Sequence, residues 1–457
     1  MKKPSFRPLL TATAAACLLP AAALHAQTTL QSPGGQLGES AAQPAGQQMG
    51  PQMGTPMGVP MGVPMTTSTG TTSMVAPVSS AASLSQPFSP VTSSVYEDER
   101  EGFRFRGIAG IERDDNVTRV NTGEVSDTIT QLGLGLRFNK RYGLQRVVVD
   151  AEYDRYDFDK LSTGYNTLNY AAAWYFGVGN VIDGVASADR REFRDVTING
   201  GAGTINLRTE RNELVEGRYK FGAAWRLLAG IQNFDASSSN PAVSWDGDPN
   251  VTTGRVGVQY ELASGSSLTG RYREGDGDYQ VGGAPGFRDH EFELVAHWAV
   301  SPKTSLDGRI AQFKREHDNT PSRNFDGPTG SITATWDATA KTRLTGGYIH
   351  DLASYLGGTG GHQETDRFYI APTWRATAQT SVGVRYEHEN RKFVDITGVP
   401  TDVGRTDKFD VLALALDWQP WRNVGIGAQW RNEKRSSSLP IFNYRANVLG
   451  LAVKLSI

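Results

Sequence analysis

Apolar and polar residues alternate with a period of two in segment after segment of this 457-residue chain. "LGLGLRF" puts Leu132, Leu134, Leu136 and Phe138 on one face, with Gly133, Gly135 and Arg137 on the other. "RVGVQYEL" sets Val256, Val258, Tyr260 and Leu262 against Arg255, Gln259 and Glu261. "EFELVAHW" sets Phe292, Leu294, Ala296 and Trp298 against Glu291, Glu293 and His297. Successive side chains of a strand point to opposite faces, so each segment reads as a strand with one apolar and one polar face.

A strand of this kind either buries its apolar face against a second sheet or turns it to lipid around a wet interior. Three features select the second. The segments run to about 10–14 residues, which suits a tilted strand crossing a bilayer. Strands are expected near 103–111, 127–139, 145–158, 165–177, 181–194, 208–222, 226–235, 251–262 and 266–275. They continue near 289–300, 304–316, 328–337, 342–354, 365–375, 379–393, 405–418, 422–435 and 443–457. Every second connection is short ("VGN", "ASG", "SPK", "DATA", "QPW"), while the others are longer and polar ("ASSSNPAVSWDGDPN", "GDGDYQVGGAPGFR", "DITGVPTDVG"). Short periplasmic turns and long external loops are the bacterial barrel arrangement. Finally, Trp174, Trp225, Trp298, Trp336, Trp374, Trp418 and Trp421 fall beside short turns, the position of an aromatic girdle at the headgroups. The pattern predicts an all-β fold, a transmembrane antiparallel outer-membrane β-barrel of about eighteen strands over 96–457.

The preceding residues obey different physics. Lys2, Lys3 and Arg7, then "LLTATAAACLLPAAAL", read as a secretory signal peptide over 1–26. Residues 27–95 hold one charged residue, Glu39, and one aromatic, Phe88, amid Gly, Pro, Ser, Thr, Gln, Ala and Met. Such a segment cannot bury enough apolar surface to offset its ordering entropy, so a disordered periplasmic extension is expected. Within it Met49, Met53, Met57, Met61 and Met65 recur in a drifting "MGTP-MGVP-MGVP" repeat. Thioethers bind Cu(I), but Gly and Pro at every repeat fit a flexible tether better. The lone cysteine, Cys17, lies in the signal, so thiol chemistry is excluded from the mature chain. A net charge of −2 gives no global case for nucleic acid.

The first hairpin reads "FRFRGIAGIERDDNVTRV". A strand running into Gly110, Asp114, Asp115, Asn116 and Val117, ahead of a long alternating barrel, resembles the type-two β-barrel porin family and its EpsL-like branch. The resemblance implies an outer-membrane pore or accessory protein in exopolysaccharide biosynthesis and export. Such barrels usually end in an aromatic residue, where this chain ends in Ile457.

Asp114, Asp115 and Asn116, "DGD" at 246–248 and "GDGD" at 275–278 offer clustered oxygens of the kind calcium takes, or plain turn residues tolerant of left-handed backbone. By parity, the residues expected to line the lumen are Arg104, Arg106, Arg137, Asp150, Glu152, Asp154, Glu216, Arg218, Lys220, Arg271, Arg273, Arg309, Arg367 and Arg431. They make either opposed charged faces that orient a polar solute or a salt-bridge network that closes the lumen. Tyr175 and Tyr369, also expected inward, would allow sugar stacking. His290, His297, His317, His350, His362 and His388 are scattered and form no nucleophile–base or metal-spaced set, so neither an enzyme nor a cofactor or metal site is expected. Three roles remain: export of a polysaccharide, diffusion of small polar solutes, and a docking barrel whose 27–95 segment engages periplasmic secretion partners.

Overall fold

In a computed structural model, residues 101–161, 164–195, 206–281, 286–356, 360–395 and 404–457 are described. The expected signal peptide, the 27–95 segment and its methionine repeat lie outside the described residues.

The strands are β1 (Gly102–Asp114), β2 (Asp127–Tyr142), β3 (Gln145–Phe158), β4 (Tyr165–Val178), β5 (Ile182–Arg194) and β6 (Leu207–Phe221). They continue with β7 (Trp225–Ser238), β8 (Pro249–Glu261), β9 (Ser267–Tyr279), β10 (Phe287–Ser301), β11 (Thr304–His317) and β12 (Phe325–Trp336). The last six are β13 (Thr342–Ser354), β14 (Gly360–Arg375), β15 (Thr380–Asp395), β16 (Thr406–Trp421), β17 (Val424–Ser437) and β18 (Tyr444–Ser456). All eighteen form one sheet in which each strand pairs with its chain neighbours, and β1 closes on β18. Every pairing is antiparallel. Closure matters physically, because an open edge of unpaired amides and carbonyls is not tolerated in hydrocarbon. The seam runs from Arg106↔Ser456 to Asp114↔Val448. Ile457 extends it by exchanging two 2.9 Å backbone hydrogen bonds with Phe105.

The expected eighteen-strand barrel is thus the fold. Several strands run further toward the long loops than their apolar alternation does: β1 to Asp114, β7 to Ser238, β9 to Tyr279, and β14 from Gly360. The reason lies on the outer face. There the apolar positions stop, and Arg155, Asp157, Glu274, His290, Lys314, Glu316, Lys392 and Lys434 take their place while the backbone ladder continues. Alternation in hydropathy therefore ends before the strand does.

Below that polar collar, the outer face is an exposed apolar belt including Phe103, Leu134, Ile231, Phe292, Ile310, Leu414 and Leu449. In water such a surface would be untenable; against acyl chains it is the expected one. All seven tryptophans expected beside the short turns stand exposed at that rim. The tightest turns use glycine where the backbone demands it: Gly143 and Gly222 adopt φ of 59° and 81°, a region costly for other residues.

Candidate functional site

The inner wall inverts the outer one. Of the residues expected to line the lumen, Arg106, Arg137, Asp150, Glu152, Asp154, Glu216, Arg271, Arg367 and Arg431 are buried on the inner face. Arg104, Arg218, Lys220, Arg273 and Arg309 are partly exposed there. Tyr175 and Tyr369 also lie on the inner face, and the Arg385 guanidinium sits over the Tyr369 ring at 4.5 Å.

These charges assemble into ion-pair clusters within strands and between strands up to two apart. Arg106 grips Asp150 in a bidentate pair of 2.9 and 2.5 Å, with Glu152 at 3.7 Å. It crosses β2 to do so, over Gly135, where a Cβ would come within 2.8 Å of the Arg106 Nε. Arg271 and Arg309 both hold Glu293 at 2.7 Å, and Arg273 holds Glu291 at 2.6 Å. Arg367 meets Glu389 at 3.0 Å, and Arg391 meets the same carboxylate at 2.6 Å. Asp183 gathers Arg218, Lys220 and Arg226. Fixed in this way, each charge is compensated where it stands, which a poorly solvated wall requires. Acid and base interleave around the described wall and do not segregate into opposed basic and acidic faces. Asp183, Glu291, Glu389, Arg385 and Arg391 share the parity of the expected set and were readable from it. Nearer the short turns the wall is open to water: the Lys220 side chain is 35% exposed and that of Asp307 is 56% exposed.

At the opposite end, two of the long loops turn inward. The β1–β2 loop (115–126) is anchored by the residues of the family resemblance. Asp114 points inward and accepts hydrogen bonds from Arg119 at 2.9 and 2.7 Å and from the Asn116 amide at 2.9 Å. Arg119 also reaches Glu433 on β17 at 2.9 Å. Burial disfavours this guanidinium's charge, but Asp114 and Glu433 outweigh that and raise its pKa above the ordinary value. Asp115 points the other way and accepts from the backbone and side-chain amides of Asn447 at 2.6 and 2.8 Å. Asn116, fully buried, donates to the Val120 and Arg445 carbonyls at 2.8 and 2.9 Å. Val117, also fully buried, packs with Ile129, Tyr156 and Tyr165, and its carbonyl accepts from Arg194 of β5 at 2.6 Å. Gly110 sits on β1, where a methyl would make ordinary contact with Ala452 and Gln131, so space does not demand glycine there.

The calcium reading fails here on geometry. The Asp114 and Asp115 carboxylates diverge to opposite faces, and Arg119 occupies the first. In "DGD", Asp246 and Asp248 converge instead on the Arg208 guanidinium, at 2.6 and 3.3 Å. Among the described residues no group of three or more His, Cys, Asp or Glu side chains converges as a metal site.

The β7–β8 loop (239–248) makes the second inward contact. Its Trp245 carbonyl accepts from the Leu356 amide, beyond β13, at 2.7 Å, and Gly247 has φ of 77° against the Leu356 side chain. Tyr355 beside it accepts from Arg405 at 3.4 Å and meets the Phe393 ring at 4.7 Å. The latch Arg119 carries no periodic signal, because loops have no fixed parity, whereas Arg194 ends β5 and Arg208, on β6, shares the inward parity of Glu216.

No family model and no curated relative matches the chain. The resemblance to the type-two β-barrel porin family therefore rests on the barrel layout and the first-loop residues alone. Among solved structures, OpdK of Pseudomonas aeruginosa with vanillate is 11% identical, with a TM-score of 0.44, covering 78% of this chain and 99% of that one. OccK2 (OpdF) of Pseudomonas aeruginosa in complex with glucuronate is 13% identical, with a TM-score of 0.44 and coverages of 78% and 96%. OccAB4 of Acinetobacter baumannii is 10% identical, with a TM-score of 0.41 and coverages of 78% and 98%. At these values the likeness says nothing of what crosses the lumen.

Proposed function

We propose that the protein is an outer-membrane diffusion pore selective for small polar solutes. The observation that carries this reading is the asymmetry of the lumen. Barrels of about 16–18 strands are wide enough to leave an aqueous channel. Here the wall near the short turns is charged and reached by water, while the external end is narrowed from within by the β1–β2 loop, the β7–β8 loop and residues 355–356. A solute entering from outside passes those loops and then a wall of paired charges, whose unshared lone pairs and N–H groups offer weak, replaceable contacts. Export of an exopolysaccharide, which the family resemblance implies, needs a passage for a continuous polymer and so a rearrangement of all three segments. Small solutes need none, which favours the diffusion reading.

Proteoliposome swelling with sugars and sugar acids of increasing size tests it. Mono- and disaccharide-sized solutes enter and longer oligosaccharides do not. Entry of long oligosaccharides as fast as monosaccharides, or a loss of secreted polysaccharide on gene deletion with small-solute uptake unchanged, overturns it in favour of export.

A further inference from the structure

The collar above the apolar belt is not uniform. Around most of the barrel its outward-facing charges are paired with opposite ones: Arg155 with Asp157 and Arg190 with Glu192 at 2.9 Å, Arg211 with Asp235 at 2.8 Å, and Lys314 with Glu316 at 2.7 Å. On β16–β18 three cations without such a pair cluster, whereas Arg113 of β1 and Arg288 of β10 stand singly. Lys408, Lys434 and Arg445 are all exposed on the outer face, and among the described residues none makes an ion pair within 4 Å. Lys434 stands directly opposite Arg445 in the ladder. Like charges directly opposite one another on a sheet destabilise it. Two carboxylates adjoin them but are already engaged: Asp410, opposite Lys434 in register, by His388 at 2.8 Å and Tyr386 at 3.0 Å, and Asp115, across the seam, by Asn447 at 2.6 and 2.8 Å. Past one polar layer, Asp410, Asn432 and Asn447, lie Leu412, Leu414, Leu449 and Leu451, exposed in the belt.

We infer that Lys408, Lys434 and Arg445 form a binding site for the phosphorylated sugar headgroup of an outer-leaflet glycolipid, with its acyl chains on the leucines beneath. Charge and height both select this occupant. The site stands on the long-loop side, at the level where the belt gives way to polar residues, so it faces the headgroups of the external leaflet. A phosphate there relieves the repulsion between Lys434 and Arg445 and makes charge-assisted hydrogen bonds. The leucines supply the contact that a free phosphate could not use. The site lies outside the lumen and holds whether or not the pore conducts.

The test titrates the full chain in detergent with a diphosphorylated glycolipid, its dephosphorylated form, and phosphatidylglycerol. The readout is bound lipid per barrel by native mass spectrometry. The variants are Lys408→Gln/Lys434→Gln/Arg445→Gln, the charge-keeping Lys408→Arg/Lys434→Arg, and the single Lys434→Gln, which is read in the same way if the triple variant does not fold. The phosphorylated glycolipid binds the triple variant about tenfold or more weakly, less so at high salt, and binds the arginine variant unchanged. The dephosphorylated form does not distinguish wild type from variant. Equal affinity of wild type and triple variant, or of the two glycolipid forms, overturns the site. Phosphatidylglycerol binding as tightly as the glycolipid overturns the sugar headgroup as its occupant.

Discussion

The two faces of β10 invert the usual relation of core and surface, with the apolar side chains exposed and the charged ones buried. Outward, Phe292, Leu294 and Trp298 are 67%, 43% and 57% exposed. Inward, Glu291 and Glu293 are 6% and 5% exposed. One hydrogen-bonded ladder thus presents hydrocarbon to the outside and sealed carboxylates to the inside. The difference teaches that exposure must be read against the solvent each face meets. Outside, lipid makes large apolar side chains cheap and charges costly; inside, charges such as Glu291 and Glu293 persist beside the arginines that pair them.

The comparison can be broken from either side. The largest effect is expected inside. Glu293→Ala strips Arg271 and Arg309 of a shared buried partner and costs about 3–5 kcal/mol of folding free energy, read by urea titration in lipid vesicles. Next is the outer face. Leu414→Arg, set well within the belt, costs about 2–4 kcal/mol in the same assay, whereas an arginine at exposed Lys408, in the collar, costs close to nothing. Gly135→Val fills the space that Arg106 crosses and costs about 1–3 kcal/mol. Its signature is a change in ion selectivity as the Arg106–Asp150 pair is displaced.

The smallest effect falls at a short turn, where both faces meet water. Arg343 hydrogen-bonds Asp337 at 2.6 and 2.9 Å and holds that carboxyl below its ordinary range. A depressed folded pKa contributes stability above the unfolded carboxyl pKa, and loses it as pH falls through the folded value. With Asp337 well exposed, Asp337→Asn costs below about 1 kcal/mol at neutral pH. Wild type and variant converge in acid; a difference that persists there contradicts the assignment.

The barrel was legible because lipid on one side and a wet lumen on the other impose a strict two-residue period. The number of strands, the tryptophan rim and the parity of Arg106, Glu216 or Arg367 all follow from it. What escaped has no period. Asp114 and Asp115 are neighbours in sequence but face opposite ways, one to Arg119 and one to Asn447, a division that spacing alone does not show. The ends of β9 and β14 were missed because their outer faces had already turned polar. Partners such as Arg194 for Val117, or Leu356 for Trp245, join residues that only the inward turn of the β1–β2 and β7–β8 loops brings together.

Single-channel conductance in planar bilayers tests the inward-folded mouth most directly. Wild type conducts with a small unitary step. Arg119→Ala/Arg194→Ala, which unties the β1–β2 loop from β17 and β5, conducts with a larger one and gains permeability to bigger ions. Equal steps for the two proteins, or no conductance from either, would contradict a lumen narrowed by its external loops.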